Sequence, residues 1–171
     1  MSCDADRSSI RYTKNLVSSD YLEAIELAIS SFYDDSHISV LDVGSNRGAF
    51  YNLIANKFKN STFFCIEPDN SIIDYEPRCG KVIVDRVEHV ILADQCYDIA
   101  YCVHTLEHVI SARQVLKQIY DSLRPEGKLI LGVPKLELYH DVVEELFIDP
   151  HTYHSCCGIQ YYIVNDYARS V

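Results

Sequence analysis

No apolar run in this chain of 171 residues approaches the roughly 20 residues that a membrane-crossing helix needs. The polar start, MSCDADRSS, also lacks the apolar core of a signal peptide, so we expect a soluble protein of the cytoplasm, away from membranes. Positive charge is scarce: 15 Lys and Arg stand against 25 Asp and Glu, a formal net charge of −10, and there is no basic run. That balance repels a polyanion, which argues against nucleic acid and favours a small-molecule substrate. The seven cysteines are odd in number and contain no CxxC pair, so neither a zinc knuckle nor a disulfide framework is expected. Cys65 and Cys102 fall inside apolar segments, where a reduced thiol behaves as a small core side chain. Repeats, low-complexity tracts and linkers are absent as well, and 48% hydrophobic residues over this length suit a single core.

What is present is an alternation of strand and helix signals. We expect one domain in three parts: an N-terminal helical segment (1–37), a core (38–134), and a second helical segment (135–171). Apolar positions three and four apart predict a helix over 19–32, capped by Ser18 or Ser19. Strands are predicted at 38–43, 62–67, 81–85, 97–103 and 127–133, with helices at 48–58 and 111–123. Arg124-Pro125-Glu126-Gly127 turns the second of these helices into the last strand, since proline cannot continue a helix. Beyond Pro134, helices at 135–146 and 155–168 are the expectation. The fold class is α/β, a doubly wound and mostly parallel sheet with right-handed crossovers.

In such a sheet a ligand sits at the carboxyl ends of the strands, where strand order reverses. The first strand runs into the loop VLDVGSNRGAF, residues 40–50. Gly44 and Gly48 permit a tight turn and close backbone approach, and the helix after them aims free N–H groups outward. The second strand ends in Glu67, 19 residues after Gly48, where a carboxylate can accept from both hydroxyls of a ribose. The third ends in Asp85, placed to accept from an adenine amine. Each glycine could be a plain turn residue and each acid a surface acid; Glu67 in register with the loop favours the nucleoside reading.

The successive segments VLDVGSNRGAF, FFCIEPD, YDIAYCVHTLEHV and LRPEGKLILGVP resemble, in order and spacing over roughly residues 20 to 134, the motifs of Rossmann-like S-adenosylmethionine-dependent methyltransferases. The LEHV segment has no place in dinucleotide oxidoreductases. The resemblance implies S-adenosyl-L-methionine as cofactor, with Gly44, Asn46 and Gly48 along its methionine part, Glu67 on the ribose and Asp42 among the cofactor-binding residues. Asp85 and the backbone of Arg86 would meet the adenine, and Val103 would border the cofactor through its main chain. Asn46 replaces the more usual glycine, and asparagine tolerates unusual backbone angles better than most residues.

His104, Glu107 and His108 form HxxEH, a spacing shared with an inverted zinc-protease motif. Its position directly after a buried strand argues against that, and we expect no metal. The segment FIDPHTYHSCCGIQYY, 147–162, resembles the acceptor side of methyltransferases that act on sugars and other small metabolites. His151, Tyr153 and His154 are expected there in a loop leading to a helix; His151 and Tyr153, with His108 of the HxxEH pattern, are the expected substrate contacts, and His104 and His154 the candidate bases. Neither an Asp/Asn-Pro-Pro-Tyr loop nor a Pro-Cys nucleophile follows the fourth strand, which favours an oxygen or carbon acceptor on a small molecule. A cofactor-binding module without turnover and an NAD-dependent oxidoreductase are the alternatives.

Methyltransferases of this class close the sheet with two further strands, the last antiparallel. The 37 residues after Pro134 show no clear strand pair. We therefore expect five parallel strands without the last two, and a fifth-strand edge covered by the C-terminal segment, a second copy of the chain or another domain.

Overall fold

The computed structural model describes residues 37–133 with their side chains, residues 25, 29, 30 and 32, and the backbone of 151–154 and 160–164. Five strands run parallel: β1 (Ser39–Val43), β2 (Thr62–Ile66), β3 (Gly80–Ile83), β4 (Tyr97–Val103) and β5 (Leu123–Val133). Between them lie helices α1 (Ala49–Lys57) and α2 (Ala112–Ser122). These bounds fall within four residues of the predicted ones, and those of β4 coincide with them.

Two further strands correct the expected architecture. β6 (His151–His154) pairs antiparallel with β7 (Gln160–Val164), and β7 pairs antiparallel with β5, giving a seven-stranded sheet in the order β3-β2-β1-β4-β5-β7-β6. The last two strands are thus present, and 160–164 is a strand where a helix was expected. Nor is β5 an edge: β7 of the same chain covers it, so no second copy or added domain is needed there. The physical reason lies in QYYIV, whose aromatic and β-branched residues suit a pleated surface beside the apolar β5. The predicted helix over 135–146 lies outside the described residues. Of the helix predicted over 19–32, Ile25 and Ile29 are helical and buried.

Each face of the sheet carries its own apolar cluster. On one side Val115, Leu116 and Ile119 of α2 pack on Leu41, Val43, Ala100 and Leu129. Ser111 caps this helix by accepting the Gln114 N–H at 3.3 Å. On the other side Phe50 and Ile54 of α1, with Phe58, Ile25 and Ile29, pack on Val40, Phe63, Ile99 and Ile130. Burying each large side chain contributes about 1.5–3 kcal/mol. Strand order reverses between β1 and β4, and the candidate site residues gather at the carboxyl ends of these two and their neighbours.

The β2–β3 crossover contains no α-helix. A one-turn 3-10 helix (Asn70–Ile72) leads into an extended stretch that lies on α1. Tyr75 stacks on Tyr51 at 5.3 Å between ring centroids, and Arg78 donates from its guanidinium to Ala55 O at 2.8 Å while its N–H meets the Tyr51 hydroxyl at 3.1 Å.

Candidate functional site

The loop after β1 is tied to the end of β2. Ile66 O accepts the N–H groups of Gly44 (2.9 Å) and Ser45 (3.1 Å), and Ser45 O accepts that of Gly48 (2.9 Å). Gly44 (φ 76°), Asn46 (φ 48°) and Gly48 (φ 70°) all occupy the left-handed region, so Asn46 adopts the backbone form for which asparagine is suited. The room left by the two missing side chains goes to the protein itself. Thr105 fills the space beside Gly44, and the Tyr75 ring lies 2.7 Å from where a Cβ of Gly48 would stand. The close approach expected there toward a ligand is therefore an approach to Thr105 and Tyr75, and what the loop offers a ligand is its backbone. No side chain caps α1.

Glu67 follows β2 and is buried, with 7% exposure. Its Oε2 accepts the Asn46 N–H at 2.9 Å and its Oε1 the Asp69 N–H at 3.0 Å. A carboxylate offers about four lone-pair positions, so both oxygens keep capacity for hydroxyl donors. Asp42 on β1 is 1% exposed, and neither of its oxygens has a hydrogen-bond partner among the described residues. Burial first, and then the Glu67 charge, push its pKa up to about 8. Beside it lie Ser45, Cys65 and the Tyr75 phenol, whose pKa burial also raises. An unpartnered buried acid next to a second acid is a place for a cation or a set of donors. These acceptors fit S-adenosylmethionine, which carries a donating ammonium, two donating ribose hydroxyls and a cationic sulfonium.

On the β3 side the strand ends at Ile83, two residues before Asp85. Asp85 is exposed, and its Oδ1 meets the Arg86 N–H at 2.7 Å and His89 Nδ1 at 2.9 Å; the His89 bond, then that from Arg86, holds its carboxyl below the ordinary range. The Arg86 guanidinium reaches Glu88 Oε1 (2.9 Å) and His108 O (3.0 Å), and Glu88 Oε1 also accepts the Ile110 N–H at 2.9 Å. This clamp joins the chain after β3 to the turn after β4, a role for the Arg86 side chain that was not legible from its position in the sequence. A groove of about 530 Å³ lies on the flank of β3, lined by Phe64, Lys81, Ile83, Asp85, His89 and Ile91 among others, away from the glycine loop.

At the end of β4, Val103 is buried and its carbonyl accepts the Thr105 hydroxyl at 3.2 Å. The same hydroxyl approaches Val43 O at 3.0 Å and so fastens the β4 end to the glycine loop. His104, between them, has φ 53°, and its N–H donates to Gly132 O at 3.0 Å. Its Nδ1 lies 3.4 Å from Glu107 Oε1. Glu107 and the exposed His108 belong to a one-turn 3-10 helix (Leu106–His108) anchored by the buried Leu106. Among the described residues no three His, Cys, Asp or Glu side chains come together as metal ligands.

His151, Tyr153 and His154 stand on β6, a strand, where a loop leading to a helix was expected. Register places His154 opposite Gln160, and Gln160 opposite Val133 at the end of β5, so the His154 backbone lies at the ligand end of the sheet. It is three strands from His104, about 14 Å across at the ordinary strand spacing. His151 pairs with Ile163, level with Ile130 and lower in the sheet.

A parallel sheet with this reversal point, a glycine loop and two acids at strand ends defines a Rossmann-like nucleoside-binding fold. A family model described as a methyltransferase domain matches residues 16–163, and the chain belongs to that family. S-adenosylmethionine is the family's cofactor. An uncharacterized protein of Methanocaldococcus jannaschii is 28% identical over 151 residues, 88% of this chain and 64% of its own length. A ubiquinone biosynthesis O-methyltransferase of Rickettsia felis is 27% identical over 65% of this chain and 48% of its own length. Of solved structures, an S-adenosylmethionine-dependent methyltransferase of Aquifex aeolicus superposes with a TM-score of 0.62 at 13% identity, over 86% of this chain and 94% of that one. The chain thus spans about half to two thirds of the length of these curated relatives.

Proposed function

We propose that the protein transfers a methyl group from S-adenosylmethionine to an oxygen or carbon of a small molecule, with hydroxyl-bearing metabolites, sugars among them, as the acceptor class. One observation carries this reading: Glu67 at the end of β2 accepts from the Asn46 backbone beside the unpartnered, buried Asp42. Gly44, Asn46 and Gly48 would hold the methionine part by their backbone, Asp42 would face its positive charge, Glu67 would take the ribose hydroxyls, and Asp85 and Arg86 would border the adenine. When bound, the cofactor supplies a methyl group on a positively charged sulfur that departs as a neutral thioether. The protein's main task is then to hold the acceptor atom about 3–3.5 Å from that carbon and in line.

His104 stands at the reversal point, beside the loop that Thr105 fastens to β4. A neutral imidazole there can take the proton that a hydroxyl acceptor must lose, contributing typically about 10²- to 10⁴-fold. His108 on the same turn, with His151, Tyr153 and His154 on β6, would line the acceptor side. The net charge of −10 supports a small molecule over nucleic acid, and the O-methyltransferase relative supports an oxygen acceptor. Among the described residues Cys65, Cys79, Cys96 and Cys102 are free thiols, two of them buried, which supports a reducing compartment such as the cytoplasm. Incubation with methyl-labelled S-adenosylmethionine and a panel of hydroxylated metabolites tests the proposal. Label should enter a small molecule and fall sharply with His104→Gln; label that enters none, with cofactor bound, would contradict it.

A further inference from the structure

The β2–β3 crossover sends one side chain in beneath the glycine loop. Tyr75 stacks on Tyr51 of α1, 5.3 Å between ring centroids and 24° between planes, and its ring lies 2.7 Å from where a Cβ of Gly48 would stand. Tyr51 is itself fixed by the Phe63 ring at 4.8 Å and by the Arg78 N–H on its hydroxyl at 3.1 Å, so the stack has one place to sit. Beyond the ring the Tyr75 hydroxyl is buried beside Ser45 Oγ and the Cys65 thiol. Asp42 and Cys65 are register partners on β1 and β2, so their side chains leave the same face of the sheet, the one that α1 and Tyr75 cover. Both oxygens of Asp42, Ser45 Oγ and Tyr75 Oη are buried without a hydrogen-bond partner among the described residues. A carboxyl that lacks donors therefore adjoins two hydroxyls that lack acceptors. A phenylalanine at this position would make the same stack without burying an unsatisfied hydroxyl, which costs stability. What the hydroxyl adds is not packing.

We infer that Tyr75 is a positioning residue for the cofactor: its hydroxyl, with that of Ser45, donates to the Asp42 carboxylate once the cofactor's positive charge draws that group into its charged form. The inference rests on the reading of Asp42 as the group that faces that charge. Before the cofactor binds, Asp42 keeps its proton at neutral pH, because burial and then the Glu67 charge disfavour the carboxylate. On binding, the carboxyl O–H bond breaks with its electron pair left on oxygen, the proton passes to solvent, and the new charge accepts from the two hydroxyls. Of the other titratable groups that act on Asp42, Glu67 at the end of β2 opposes the charge. Burial keeps Cys65 on β2, Cys102 on β4 and the Tyr75 phenol itself uncharged. On the glycine loop Arg47 is paired with Asp74 of the crossover at 3.6 Å, and the first turn of α1 carries no acid.

Calorimetry with S-adenosylmethionine at neutral pH, in buffers of different ionisation enthalpy, reads affinity and proton release together. Wild type should release up to about one proton per cofactor bound. Tyr75→Phe, which keeps the stack, should bind roughly 10- to 100-fold more weakly and release fewer protons. Its melting temperature without cofactor should equal or exceed that of wild type. Wild-type affinity and proton release in Tyr75→Phe would overturn the role, and so would a melting temperature that falls along with affinity, the mark of a merely structural residue. The Asp42 reading fails separately if Asp42→Asn releases as many protons as wild type.

Discussion

Thr105 and Gly44, 61 positions apart in the chain, share one volume: the threonine side chain sits where a side chain on Gly44 would be, while its hydroxyl approaches Val43 O at 3.0 Å. Gly44→Ala must therefore displace Thr105 and also hold alanine at φ 76°. We predict a loss of stability on the order of 1–3 kcal/mol in chemical denaturation. Thr105→Ala in the same chain should recover part of that loss by removing the contact, leaving the backbone strain. Additive single and double variants would show that the two side chains do not compete.

Glu67 bridges the glycine loop and the expected ribose. Glu67→Ala removes the acceptor of the Asn46 and Asp69 N–H groups together with the site for hydroxyls. Hydrogen bonds to a charged group contribute about 1.5–3 kcal/mol each, so S-adenosylhomocysteine affinity in calorimetry should fall roughly 10- to 100-fold or more. Unchanged affinity would remove Glu67 from the site.

Asp42 gives the protein a pH dependence of defined sign. Its carboxyl titrates near 8 when folded and near 3.8 when unfolded, so between those values the folded state binds the extra proton. Stability contributed by that proton is present at low pH and is lost as pH rises from about 4 to about 8. Asp42→Asn should flatten the fall in melting temperature over that window and raise stability at pH 8 by an amount on the order of 1–3 kcal/mol. Above about pH 8, where the carboxylate is charged, the same variant should weaken S-adenosylmethionine binding, since it removes the group proposed to face the cofactor's positive charge. Equal slopes in variant and wild type would contradict the assignment.

The Arg86–Glu88 clamp should act on the turn that carries His104. Burial pushes the Glu88 carboxyl up, but the Ile110 N–H and the Arg86 guanidinium outweigh it and hold the group below its ordinary range. Its stability contribution is present above the unfolded pKa and is lost as pH falls through the folded one. Arg86→Ala should cost about 1–2 kcal/mol and speed amide hydrogen exchange over 104–110. Exchange unchanged in that segment would show that the two loops are held by other contacts.

Much of this arrangement was legible in the chain. β1, β2, β4 and β5 announce themselves as largely buried apolar runs, while β3 at the sheet edge is exposed to half-buried, and Asp42, Glu67 and His104 stand at or next to strand ends as expected. β6 and β7 did not, because HTYH and QYYIV are too short to show a period of two, although the Tyr, Ile and Val of the second are a strand signal. The partners of the glycines were equally hidden. Which side chain fills the space beside Gly44 depends on how β4 registers against β1, and Tyr75 reaches Gly48 only because the β2–β3 crossover has no α-helix. That Glu107 comes within 3.4 Å of His104 depends on the one-turn helix at Leu106–His108, which the spacing alone does not show.

The most direct test is a calorimetric titration of the protein with S-adenosylmethionine, S-adenosylhomocysteine and NAD, repeated with Glu67→Ala. The account predicts saturable binding of both sulfur nucleosides, weakened in the variant, and no binding of NAD. Failure of both sulfur nucleosides to bind the folded protein would contradict it.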